Sequence, residues 1–327
     1  MFEELGLIGN ALILLASLFV LVIASELTIS NSVKVSAITG FGKTTVGFIL
    51  VGFSTSLPEL SVSIFAVINP GSVGVSIGNV LGSNVVNISL ILGVCILLLV
   101  LKRPRFSTFL LTMAKEEMGS LHFGLFIASI IPLTLLYLGY ASRFIGVILV
   151  GIFVFYMVQL ARVKKTKEEG VLGSDRSKLR RYALIALAGA SVVVASAFFI
   201  VESASFIATG VSVPPVIIGA TIVAFGTSIP ELATSISSVR NGHFDLALGN
   251  IVGSCFINIT LILGVALIAS PLRINIAAFS NLALFSLITN LFLWYFLSNE
   301  RMSWREGTLF IVLYAIFLVV SFGGLNP

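Results

Sequence analysis

The chain of 327 residues holds two cysteines, two histidines and two tryptophans, and only 10% of it is charged. Cys95 and Cys255 each lie inside an apolar run, so the sequence offers neither a disulfide framework nor a cysteine-rich metal site. It leaves the redox compartment open. A soluble domain is about 25% charged, and the scarcity of charge excludes an ordinary globular enzyme. What fills the place of charge is hydrocarbon: 57% of residues are hydrophobic and the mean hydropathy is +1.12. At ~20 residues per span of a ~30 Å hydrocarbon layer, that content suffices for about nine or ten crossings.

Charge-poor stretches predict ten spans, at 5–25, 44–68, 73–101, 118–142, 144–161, 182–201, 213–239, 246–272, 274–299 and 307–322. The first has no small-residue cleavage site and reads as an uncleaved span. The runs are long and continuously apolar rather than alternating, which excludes a β-barrel and predicts an all-α polytopic membrane protein. Seventeen of the 19 Lys and Arg residues then fall on one side of the membrane, leaving Arg143 and Arg273 on the other. Cytoplasmic loops carry the excess of Lys and Arg, so the expectation is a multi-pass cell-membrane protein with both termini extracellular and the basic loops cytoplasmic. The net charge of +5 then reports orientation in the lipid bilayer, not a nucleic-acid partner.

The chain also contains its own duplicate. Residues 55–64, Thr-Ser-Leu-Pro-Glu-Leu-Ser-Val-Ser-Ile, match 227–236, Thr-Ser-Ile-Pro-Glu-Leu-Ala-Thr-Ser-Ile, at seven of ten positions. A second block, 78–94, matches 249–265 at eleven of seventeen, both built on Gly-Asn-x-x-Gly-Ser-x-x-x-Asn. The first copy occupies the second and third spans and the second copy the seventh and eighth, a shift of five. An odd shift reverses direction, so the prediction is ten transmembrane helices as two inverted five-helix repeats, 1–162 and 182–327, joined by a cytoplasmic linker at 163–181. Such repeats place a substrate site near the bilayer midplane.

Most of the 14 acidic residues lie in loops or at ends. Glu26 and Glu202 fall at the predicted ends of the first and sixth spans, where an interfacial role is expected. Glu59 and Glu231 fall mid-span, with no Lys or Arg at their depth. A charge there costs about 2.5–3.5 kcal/mol on insertion scales, so a cation, a proton or water must compensate it. Around each acid the sequence supplies oxygen. Pro58 and Pro230 are expected to open their helices near Ser54 and Gly226, freeing carbonyls. Thr55 and Ser56 lie on one helical face with Glu59, as Thr227 and Ser228 do with Glu231. Asn79, Ser83 and Asn87, and likewise Asn250, Ser254 and Asn258, form polar stripes at spacings of four. Gly78, Gly82, Gly249 and Gly253 give small surfaces for close helix approach. With oxygen donors alone, zinc and copper are disfavoured and Ca²⁺ and Na⁺ favoured. Two carboxylates are neutralised equally by one Ca²⁺, two Na⁺ or two protons, and competition for them is a ready mechanism of exchange.

On these residues the chain resembles the sodium/calcium exchanger family of the cation/calcium antiporter superfamily, whose paired α-repeats carry the same two motifs. The resemblance covers nearly the whole chain. It implies exchange of Na⁺ for Ca²⁺ by alternating access, the first and sixth spans sliding across an eight-helix core, with no cofactor and no obligatory protein partner. It assigns Glu59 and Glu231 as central carboxylates, with Thr55, Ser56, Thr227, Ser228, Ser83, Ser254 and the backbone near Gly52 and Ala224 completing the ion sites and Asn87 and Asn258 lining the middle. Ser54 stands where the family usually has Gly, and Gly52 where Ala is commoner. Potassium-dependent relatives carry Asp at the place of Asn258. Proton/calcium exchangers tend to have Glu where Gly82 and Gly253 stand, which lowers but does not remove the alternative of H⁺/Ca²⁺ exchange through the same glutamates. An intramembrane acid–base enzyme would have no use for the hydroxyl stripes. A channel would have none for inverted, broken helices.

Overall fold

In a computed structural model, described for residues 2, 5–39, 55–69, 72–102, 108–110, 115–162, 178–240, 242, 244–270, 272–273, 276–299 and 301–323, the chain is almost wholly helical. Gly52, Ser54 and linker residues 163–177 lie outside the described residues. Among the described residues six helices are long and apolar enough to cross a membrane, or seven if Pro215–Thr227 and Ile229–Arg240, which meet at 42°, form one broken span. Three shorter apolar helices, Leu57–Ile68, His122–Leu135 and Arg143–Val158, accompany them.

Two helices exceed the rest: Gly6–Thr39 with 34 residues and Leu179–Gly210 with 32. At 1.5 Å per residue they are about 50 Å long, more than the hydrocarbon layer requires. They lie along one another through Leu14, Leu21 and Ala24 against Val193, Ala197 and Ile200. A side chain on Gly189 would collide with Thr28. The second helix runs nine residues past the predicted end of the sixth span. Glu202 is therefore not terminal: it sits within the helix and accepts a 2.6 Å hydrogen bond from Asn69. Glu26 also lies inside its helix, exposed.

The remaining helices share a larger core and make contacts that come in pairs. Gly93 lies on Gly307, and Gly264 on Gly146, each backbone close enough that a Cβ would crowd the other's carbonyl. The short strand Thr108–Leu110 pairs antiparallel with Arg301–Ser303, and Tyr140–Ala141 pairs with Leu272–Arg273. The helix Val73–Val85 packs on Pro215–Val223 backbone to backbone, because a Cβ on Gly78 or Gly82 would enter Val216 or Ala220. Helix approach without side chains is how apolar helices gain contact where no hydrophobic force drives them together.

The helices break later than the prolines alone suggest. Ser56 (φ −81°, ψ 5°) and Ser228 (φ −86°, ψ 4°) interrupt them, and new helices begin at Leu57 and Ile229. Proline fits the first turn of a helix, where its missing N–H is not needed. The chain thus restarts just before Pro58 and Pro230; in the second copy that is two residues nearer the proline than Gly226, and the opening expected near Ser54 lies outside the described residues. Among the described residues three further irregularities are π-helical: Gly219–Val223, and Val86–Ile91 and Asn258–Ile262 at equivalent places in the two motif copies.

Gly82→Val is expected to disrupt the fold, because the new side chain meets the Ala220 backbone, whereas Gly151, with nothing within 4 Å, accepts Ala. Thermal unfolding in detergent should show a large loss for the first. For the second it should show no loss, or a gain of up to ~1 kcal/mol.

Candidate ion-binding site

Glu59 and Glu231 each stand in the first turn of a helix that begins at the break, Leu57–Ile68 and Ile229–Arg240, and both are 0% exposed. In that turn the free N–H groups and the positive end of the helix dipole face the carboxylate and favour its charge. The two acids are close enough to interact electrostatically. Among the described residues no cation pairs with either.

The two motif copies grip each other reciprocally. Thr227 Oγ1 donates to Asn79 Oδ1 at 3.0 Å, and the Asn79 amide in turn donates to the Glu59 carbonyl (3.2 Å) and Ser63 Oγ (3.4 Å). Thr55 Oγ1 donates to Asn250 Oδ1 at 3.4 Å, and the Asn250 amide donates to Ser235 Oγ at 3.3 Å. Each threonine thus directs its hydrogen to the opposite copy, so its oxygen is left to present lone pairs to a cation. Ser228 Oγ donates to Glu59 Oε1 at 3.3 Å. Thr55 and Ser254, 3.4 Å apart, flank Glu231.

Many of the remaining polar atoms have no partner. Glu59 Oε2, both carboxylate oxygens of Glu231, Ser56 Oγ, Ser83 Oγ, both polar atoms of Asn87 and Asn258 Oδ1 are buried and unpaired. The Thr55 and Ser254 hydroxyls lie beside Glu231. A buried polar group left unpaired costs about 1–3 kcal/mol, more if charged. Here such groups converge, and all but one of them are oxygens. This is the donor set that a hard cation would satisfy. Among the described residues no three His, Cys, Asp or Glu side chains come together, so the set is two carboxylates plus neutral oxygens.

The structure brings Glu59, Glu231, Thr55, Ser56, Thr227, Ser228, Ser83 and Ser254 into this buried region, each at most 2% exposed. Asn87 and Asn258 lie in the two π-helical turns; Asn258 Nδ2 donates to Asn84 Oδ1 at 3.3 Å, and Asn87 lies against Cys255. The Ala224 carbonyl is not free: it accepts from the Ser228 N–H at 3.1 Å, and Thr227 Oγ1, whose shorter bond goes to Asn79, lies 3.3 Å from it. Sequence reasoning missed Asn84, because its counterpart in the second motif is Cys255 and the comparison of copies hides it. It noted Asn79 and Asn250 but gave them no role, since only the fold shows which threonine each one holds.

Over residues 9–161 and 181–323 the chain matches the family described as sodium/calcium exchanger protein. It is 30% identical over 302 residues to inner membrane protein YrbG of Escherichia coli, covering 88% of this chain and 89% of YrbG. It is 43% identical over 89 residues to sodium/calcium exchanger MaX1 of Methanosarcina acetivorans, covering 27% of this chain and only 25% of that relative. In fold it is similar to the sodium-calcium exchanger NCX_Mj, with TM-score 0.68 and 23% identity over 98% of this chain and 100% of that one. It is also similar to the H⁺/Ca²⁺ exchanger CAX, with TM-score 0.75 and 18% identity over 96% of this chain and 87% of that one. Matched across both of its halves, the chain belongs to the sodium/calcium exchanger family, a membrane-embedded transporter and not an enzyme.

Proposed function

We propose that the protein exchanges Na⁺ for Ca²⁺ across the cell membrane by alternating access, at one central site formed by Glu59 and Glu231. The observation that carries this reading is a set of unpartnered buried oxygens around two carboxylates that have no counter-charge among the described residues. Thr55, Ser56, Thr227, Ser228, Ser83 and Ser254 complete the ion sites, and Asn87 and Asn258 line the middle. An amide at Asn258, in place of an acid, argues against potassium cotransport.

The architecture we infer is ten transmembrane helices in two inverted repeats, 1–162 and 182–327, joined by the linker 163–181. Six long helices, the bent pair and the three shorter apolar helices supply that many crossings. The paired contacts support a two-fold relation, since exchanging the repeats turns Gly93–Gly307 into Gly264–Gly146 and one strand pair into the other. The sliding elements would be the long helices Gly6–Thr39 and Leu179–Gly210, with Leu18 resting on Gly226 beside Thr227. Charge sorting puts both termini outside and the basic loops in the cytoplasm.

With both acids ionised the site carries −2. One Ca²⁺ neutralises it and three Na⁺ leave it at +1, so three-for-one exchange moves charge across the membrane. Protons could neutralise the same pair, and the fold similarity to the H⁺/Ca²⁺ exchanger CAX favours that as the second reading. The separating experiment is Ca²⁺ uptake into vesicles with Na⁺ and pH gradients imposed one at a time under a membrane-potential clamp. Uptake driven by Na⁺ and responsive to potential is expected; uptake driven by pH alone supports the proton.

Glu59→Gln and Glu231→Gln are each expected to reduce Ca²⁺ transport to background, and wild-type rates in either would contradict the site. Ser56→Ala and Ser83→Ala remove hydroxyls that have no partner in the protein. They are expected to leave thermal stability without ions intact or raised. The half-saturating Ca²⁺ concentration should rise about tenfold, ~1.4 kcal/mol.

A further inference from the structure

Glu202 has no part in the central site. It lies half-buried in the helix Leu179–Gly210, and its Oε1 accepts a 2.6 Å hydrogen bond from Asn69 Nδ2, at the end of the helix that carries Glu59. Three residues further on along both segments, Ser205 Oγ donates to Ser72 Oγ at 2.8 Å. Glu202 Oε2 takes no hydrogen bond or ion pair among the described residues. Charge sorting places both the end of the sixth span and the turn between the second and third spans on the outer face, which agrees with their contact here.

From this cluster a polar stripe runs inward. Ser72 already has helical backbone angles (φ −95°, ψ −1°), so Ser76, Asn79 and Ser83 follow it on one face at spacings of four, three and four. At Ser72 this face meets the helix of Glu202, and at Asn79 it meets Thr227 and the helix of Glu59. Ser76 is 1% exposed and its hydroxyl has no partner, Asn79 touches Ser63 and the Glu59 carbonyl, and Ser83 is again unpartnered. From Ser72 to Ser83 the rise is about 16 Å. One end of the stripe is a carboxylate near the surface, the other the buried Glu59. The inner part of the stripe, Asn79 and Ser83, recurs as Asn250 and Ser254, but its outer part does not. Ala247 stands 171 residues after Ser76, and Ser30 stands 172 residues before Glu202.

We propose that Glu202, with Asn69, Ser72, Ser205 and Ser76, forms a second, outer site that takes Ca²⁺ from the extracellular solution and passes it along the stripe to Glu59. The proposal rests on the reading of Glu59 and Glu231 as the central site. One carboxylate among neutral oxygens gives a weak site, of the order of 10⁻⁴–10⁻³ M, which suits an ion that must be released inward. The carboxylate also raises the local cation concentration at the mouth of the path. Each hydroxyl along the stripe replaces part of the hydration that the ion sheds. Because the other repeat lacks the outer carboxylate and the hydroxyl equivalent to Ser76, the effect belongs to one face of the membrane.

The test uses the full-length protein in vesicles of uniform orientation, with Ca²⁺ uptake measured from each face. Glu202→Gln keeps an oxygen to accept from Asn69 and removes only the charge. The ratio of half-saturating Ca²⁺ concentrations at the two faces is expected to shift about tenfold, with the outer face weakened. That shift should shrink as choline chloride raises the ionic strength, and Glu202→Asp should recover part of it. Binding of radioactive Ca²⁺ to a Glu59→Gln/Glu231→Gln variant should retain a weak component, ~1 mM, that adding Glu202→Gln removes. Equal shifts at both faces, a fall in maximal rate alone, or no component sensitive to Glu202 would make the residue a structural link and overturn the proposal. Transport by the Glu59→Gln/Glu231→Gln variant would instead overturn the central site, while the comparison of faces would still read Glu202 by itself.

Discussion

Two carboxylates held wholly out of solvent, with no cation beside them among the described residues, are the constraint from which the rest of this structure follows. In a low-dielectric interior an ionised pair repels itself and lacks hydration. The protein does not relieve this with lysine or arginine. It surrounds Glu59 and Glu231 with hydroxyl and amide oxygens, several of which are themselves unpaired. That arrangement is unfavourable when empty and would become favourable with a cation among its oxygens, which is the energetic basis of the exchange proposed above.

The backbone serves the same constraint. Each acid sits at the start of a helix that begins at a break, so the helix dipole and free amides face the carboxylate. The break needs Pro58 or Pro230 in the first turn, and Ser56 or Ser228 at the interruption. The opposite motif copy then reaches across: Thr227 to Asn79 and Thr55 to Asn250. Because each half completes the other's oxygen shell, a movement of one relative to the other changes the site itself. The glycine contacts at Gly78 and Gly82 bring the halves close enough for these short side chains to meet.

Much of this was legible in the sequence because charge is so rare. An acid inside an apolar run stands out, and finding the same acid with Thr, Ser and Pro in a second copy identifies Glu59 and Glu231 together with their neighbours. Other features leave no local signal. The π-helical turns that hold Asn87 and Asn258 have no distinctive composition, and Asn84 is hidden by the cysteine at its counterpart. The Asn69–Glu202 contact joins residues 133 apart, and its helix outruns the apolar stretch that set the predicted end of the span. In the second copy the helix break lies two residues past Gly226 because proline's tolerance of the first turn outweighs its clash with the preceding one.

The central claim is that Glu59 and Glu231 hold one Ca²⁺ between them. The most direct measurement is electron density from crystals of the protein soaked in Ca²⁺. The account expects a single ion with at least one oxygen from each glutamate at ~2.3–2.6 Å. Density that put the ion elsewhere, with both carboxylates bare or turned toward lipid, would contradict it.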